Sequence, residues 1–183
     1  MNGKSRDAEL PTGEPHSGGL THVDARGQAN MVAVGDKPVT SRRAVAEATI
    51  RLDASTRDML LAGKLPKGEA LAVARVAGIQ AAKETSRLIP LCHTLPLSHA
   101  AVSFEAVDVD AVRIVAEAST SGTTGVEMEA MAAASVAALT VYDMVKARCR
   151  AAVIERVQLL HKSGGKSGSY DRVPAADAGG SRG

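Results

Sequence analysis

Aromatic side chains are almost missing from this chain: 183 residues contain no Trp, one Phe (Phe104) and two Tyr (Tyr142 and Tyr170). An interior built without them must be filled by Ala, Val, Leu, Ile and Met, which lets helices and strands approach closely. Small side chains also bury little area each, so a solitary subunit is harder to stabilise and the composition leans toward an oligomer. Cysteine is scarce too, and Cys92 and Cys149 make neither a disulfide framework nor a zinc quartet. A formal net charge of +2 is too small to argue for a nucleic-acid partner. No window approaches the ~18 consecutive apolar residues of a membrane span, and the N-terminus shows no apolar signal core. No membrane association is expected, and the cytoplasm is the expected compartment.

The stretch LLHKSGGKSG, residues 159–168, carries glycines, a lysine and a serine after an apolar run, yet it lacks what a P-loop requires. The position of the motif's leading glycine is Leu160. No helix is signalled after Lys166, so no helix N-terminus would complete an anion site. Two lysines on a glycine-rich loop still suit an anion, because glycine lets the backbone come close while lysines supply mobile positive points. The plain alternative is a solvated basic tail.

The length suits one domain. Residues 1–19 and 169–183 are rich in Gly, Pro, Ser and charge, too polar to offset chain entropy, and are expected to be disordered tails. A single catalytic-sized domain over residues 20–168 remains. Within it, Arg42 to Leu52 alternates as a strand. Ser55 offers an N-cap to a short helix through Leu61, closed by Gly63. Gly68 to Leu88 predicts a longer helix. Two alternating runs joined around Val109 and Asp110 predict a hairpin. Thr124 to Cys149 is helical by length and alanine content, and Ala152 to Leu160 alternates as a last strand. Without the short helix the order is β-α-β-β-α-β: an α+β, ferredoxin-like subunit, its antiparallel sheet carrying helices on one face.

Three further stretches hold more polar function than their surroundings need. In PLCHTLPL, Cys92 and His93 sit between prolines that keep the backbone extended, with no partner at metal-ligand spacing, so no metal is expected. In TTGVEMEA, Thr124 and Glu127 match a capping box, which gives Glu127 a structural explanation. Glu129 has none, and a carboxylate there suits the N–H and NH₂ edge of a guanine or pterin. In VYDMVKARC, Asp143 and Lys146 share a helix face. A surface ion pair is the simplest account, but apolar neighbours suggest a partly buried boundary, where coupling would give an acid–base pair usable near neutral pH.

KGEALAVARVAGIQAAKETSRLIPLCH, TGVEMEAMAAASVAALTVYDMVKA and LLHKSGGKSG resemble, in order, the MoaC family of cyclic pyranopterin monophosphate synthases of molybdenum-cofactor biosynthesis, a likeness running from about Thr21 to Gly168. The resemblance implies an enzyme that converts 3′,8-cyclo-7,8-dihydro-GTP to cyclic pyranopterin monophosphate and diphosphate, without a cofactor. It also implies a homohexamer, a trimer of dimers, with active sites between ferredoxin-like subunits. By position it places substrate contacts at Leu91, Cys92, His93, Met128 and Glu129, a catalytic aspartate at Asp143, and functional lysines at Lys67, Lys146 and Lys162. Where the family commonly has a proline after this histidine, Thr94 stands here, which would loosen the loop.

Glu129 and Asp143 are nearly in phase on one helix face but about 21 Å apart along a straight helix. One small ligand cannot span that. Either the helix is broken or each site takes opposite helix ends from two chains. Two other classes stay open: an RNA- or protein-binding ferredoxin-like module, weakened because only Phe104 lies in a predicted strand, and a generic phosphate-binding or NTP-hydrolysing enzyme.

Overall fold

The computed structural model describes residues 26–173; the expected tail at residues 1–19, the stretch Thr21 to Asp24 and residues 174–183 lie outside them. The chain divides into two units, one ending at Val32 and one beginning at Ala33. The described part of the first, residues 26–32, holds a turn and no helix. The second carries every element named below: β1 (Thr40–Arg51), α1 (Ala54–Leu61), α2 (Ala70–Lys83), α3 (Thr85–Leu88), β2 (Leu97–Asp108), β3 (Ala111–Gly122), α4 (Glu127–Val145), β4 (Val153–Ser163) and β5 (Tyr170–Asp171). The strands form one antiparallel sheet in the order β2-β3-β1-β4-β5, an α+β architecture.

Alternation in β1 does what its sequence predicts. Ala44, Ala46, Ala48 and Ile50 are fully buried, opposite Ala118, Ala116, Ile114 and Val112 of β3. Paired residues share a sheet face, and this face forms one core with Ala70 and Ala74 of α2 and Ala130, Ala133, Ala137 and Val141 of α4. Gly78 marks the tightest seam. A Cβ there would lie 2.9 Å from both the Ala133 carbonyl oxygen and Val102 Cγ2, so only hydrogen fits between α2, α4 and β2. The odd positions of β1 face the other way. Glu47 is buried there at 3 % exposure, accepting hydrogen bonds from Arg113 and Gln158, with Arg156 3.4 Å away. A buried carboxylate is tolerable because it is paired on several sides.

Four local expectations are revised. The helix expected over Gly68 to Leu88 is two helices, because the Thr85 hydroxyl donates back to the Ala81 and Ala82 carbonyls and competes with the backbone for the end of α2. The cap of α1 is Asp53, not Ser55: its carboxylate accepts from the Thr56 N–H at 2.8 Å and the Thr56 hydroxyl at 2.7 Å. The long helix runs only from Glu127 to Val145, its N-cap is Val126, and the capping box between Thr124 and Glu127 does not form. Finally, Tyr170–Asp171, in a stretch read as tail, pairs as β5 with the end of β4.

Candidate active site

Lysine at the end of β4 and glycine just after it shape the first part of the site. Gly164 and Gly165 have φ of +96° and +77°, and a Cβ on Gly164 would lie 2.1 Å from the Ser41 carbonyl oxygen, so the loop lies flat against the start of β1. Beside it opens a cavity of about 560 Å³ lined by the cations Lys37, Arg42, Arg43, Lys162 and Lys166 and by a carboxylate, Glu127. Arg42 donates from Nε to Gly122 O (3.0 Å) and from Nη2 to Thr123 O (3.1 Å), which ties the turn before α4 to this cavity. Arg43 is engaged with Glu117 at 2.6 Å. Lys162 Nζ lies 3.1 Å from Glu127 Oε1 and 3.4 Å from the Ser167 hydroxyl. A polyanion entering here would meet several cations and one carboxylate that competes for Lys162.

The second part is at the first turn of α4. Glu129 is only 4 % exposed, and burial, with the neighbouring Glu127 charge adding to it, pushes its carboxyl up to about 7. Burial and then the Glu129 charge also raise the Cys92 thiol. Cys92 therefore lies within the electrostatic reach of Glu129. Leu91, Cys92 and His93 are half-buried on the connector before β2, whereas Met128 is exposed. Thr94, which stands where the family commonly has proline, donates a hydrogen bond from its hydroxyl to the Ser86 hydroxyl oxygen at 3.1 Å.

The third part lies at the opposite end of α4. Lys146 Nζ is 2.6 Å from Asp143 Oδ1; Lys67 Nζ is 3.7 Å from Asp143 Oδ2 and donates to the Asp143 carbonyl at 2.9 Å. The expectation of a pair at a partly buried boundary, coupled so that it is usable near neutral pH, is corrected here. Both side chains are about half exposed, and their shifts diverge. The hydrogen bond from Lys146, and then the Lys146 and Lys67 charges, lower Asp143, while the bond to Asp143 raises Lys146. Lys146 also borders a smaller cavity of about 370 Å³ with Tyr142 and Arg150.

Of the residues expected from the sequence, Lys162, Glu129 and Cys92 gather toward one end of α4, and Lys67, Asp143 and Lys146 at the other. The helix between is unbroken. Sequence reasoning missed Lys37, Arg42, Arg43 and Glu127. Arg42 was hidden inside a strand pattern, and Glu127 had been explained by a capping box that the backbone does not make. Phe104, the one aromatic expected on a strand, packs against the core beneath the Arg75 guanidinium, 5.5 Å from the ring centre, and offers no open stacking face.

The cyclic pyranopterin monophosphate synthase of Herpetosiphon aurantiacus is 56% identical over 152 residues, 82% of this chain and 93% of that protein. A family model described as the MoaC family matches residues 31–165, the segment holding the core and both residue clusters. The chain belongs to the MoaC family.

Proposed function

We propose that this chain is a cyclic pyranopterin monophosphate synthase, a phosphorus–oxygen lyase that takes 3′,8-cyclo-7,8-dihydroguanosine 5′-triphosphate to cyclic pyranopterin monophosphate and diphosphate in molybdenum-cofactor biosynthesis. The observation that carries this is the cationic cavity at the β4 end, with the carboxyl-bearing first turn of α4 beside it. Such a site offers charge for a triphosphate next to a group for a guanine-derived edge.

Lys162, with Lys67 and His93, holds the triphosphate and stabilises charge on the departing diphosphate. Glu129, with Leu91, Cys92 and Met128 around it, reads the guanine-derived edge. Asp143 and Lys146 move protons while the purine-derived ring is opened and rebuilt. Holding ribose hydroxyl and α-phosphate together supplies the remaining acceleration. As the oxygen bonds to the α-phosphorus, the bond from that phosphorus to the bridging oxygen breaks and diphosphate leaves.

The working form is a cytoplasmic homohexamer, a trimer of dimers of ferredoxin-like subunits, with no cofactor and no nucleic-acid or membrane partner. The order β2-β3-β1-β4 of the four long strands supports the subunit fold. An unbroken α4, with one residue group at each end and about 21 Å between Glu129 and Asp143, supports sites completed by a neighbouring protomer.

The test is to supply the purified protein with the cyclised intermediate and assay for a pterin product and diphosphate. Asp143→Asn and Lys162→Ala abolish turnover while leaving the assembly intact; activity retained in both variants removes the site assignment. Steady phosphate release from ordinary GTP, without pterin, would replace the reading with a simple hydrolase.

A further inference from the structure

The family match ends at residue 165, yet the ordered chain goes on. Beyond the glycine loop, β5 returns along β4, with Tyr170 opposite Lys162 and Asp171 opposite His161. Three further bonds extend this short ladder: Asp171 Oδ1 lies 2.8 Å from His161 Nδ1, the Arg172 N–H donates to Leu160 O at 2.8 Å, and Arg172 Nε donates to Leu159 O at 2.7 Å. The residues so gripped, Leu159 to Lys162, lead directly into the loop that carries Lys166.

We propose that the segment Tyr170–Arg172 is a C-terminal strap that positions Lys162 and Lys166 for the phosphates, with Asp171 as a positioning residue acting through His161. The proposal rests on the anion-binding reading of the cavity above. The glycines of the loop call for such a device. The loop between Lys162 and Tyr170 contains Gly164, Gly165 and Gly168, all at positive φ, so its own sequence does little to restrict it. Tied at one end only, the loop would have to be ordered at each binding event. Anchored at both ends, it is a closed hairpin whose lysines are already placed.

The two faces of the ladder divide the labour. Directly opposed residues share a face, so Tyr170 stands beside Lys162, while the adjacent pair, His161 and Asp171, points to the other face, where it can hold the strap without entering the cavity. Asp171 is well exposed, so its pairing with His161 is individually weak, and the strap depends on the whole ladder.

The test uses the full chain and two readouts: binding of inorganic tripolyphosphate by calorimetry, and steady-state turnover of the cyclised intermediate. Tyr170→Pro, which removes a ladder donor and does not fit a paired strand, weakens tripolyphosphate binding roughly tenfold and raises KM in proportion, with kcat within about twofold of the parent. Asp171→Ala shows a smaller shift of the same kind, and Asp171→Asn, which keeps an acceptor for His161, restores most of it. Unchanged tripolyphosphate affinity in Tyr170→Pro overturns the strap, as does a fall in kcat at constant KM, or a parent protein that binds no tripolyphosphate. A parent that binds tripolyphosphate more tightly than Tyr170→Pro, yet makes no pterin, leaves the strap standing and removes the synthase reading instead.

Discussion

Lys162, at the end of β4, reaches across to Glu127, the first residue of α4, with 3.1 Å between Nζ and Oε1. The pair joins two elements distant in sequence and sits in the wall of the cationic cavity. With both side chains about 29 % exposed, the carboxylate works as a placeholder that an incoming phosphate can displace.

Neutralising that placeholder favours the anion. Glu127→Gln removes the acidic side chain from the cavity wall, so tripolyphosphate binds more tightly, by roughly three- to tenfold at low salt, and the gain shrinks as salt rises. Calorimetry at two ionic strengths checks it; weaker binding in the variant would mean that Glu127 holds Lys162 in place rather than competing for it.

Glu129 makes stability depend on pH in the direction opposite to an ordinary carboxylate. Its folded pKa of about 7 lies above the ordinary 4.5, so the native state keeps the proton longer than the unfolded chain. Its contribution is full below the unfolded value and is lost as pH rises through 7, a change on the order of 3 kcal/mol. Glu129→Gln removes this slope, leaving a smaller loss of thermal stability between pH 5 and pH 8 than in the parent. An equal fall in both proteins counts against a buried protonated Glu129.

Glu47 supplies the acid limb. Burial raises its pKa, but hydrogen bonds from Gln158 and Arg113 and the charges of Arg113 and Arg156 more than offset this, so the folded value lies below the ordinary one. That stability is present above the unfolded pKa and is lost as pH falls through the folded one. Glu47→Ala removes the acceptor shared by Gln158 and Arg113, while Arg113 keeps Glu105 and Arg156 is solvated, and costs about 2 kcal/mol at pH 7; in denaturant titrations the difference from the parent narrows as pH falls below the ordinary 4.5.

Much of this was legible in the sequence because local periodicity and local packing agreed. Ala44 to Ile50 alternate because one face of β1 meets helices, and the alanine run of α4 has no other use than close packing. What escaped depended on contacts distant along the chain. The carboxylate of Glu127 had a local cap partner in Thr124 but found Lys162, which no spacing rule connects to it. Asp143 and Lys146 were correctly paired by their helical spacing, while their exposure depended on what lies beyond α4. Tyr170–Asp171 is too short for any periodic signal and becomes a strand only because β4 presents an open edge.

Gly78 separates two effects of opposite sign. In an exposed helix interior, replacing glycine by alanine stabilises by about 1 kcal/mol through helix propensity. In α2 the added Cβ would sit 2.9 Å from the Ala133 carbonyl oxygen and 3.2 Å from Ala137 Cβ, both on α4, and 2.9 Å from Val102 Cγ2. A backbone carbonyl in the middle of a 19-residue helix cannot step aside alone, so α2 and α4 must separate along a seam that holds the alanine core. Overpacking of this kind costs about 1–3 kcal/mol, enough to outweigh the propensity gain. Gly78→Ala therefore lowers the denaturant midpoint at an unchanged slope, and a raised midpoint would show that the two helices have slack between them.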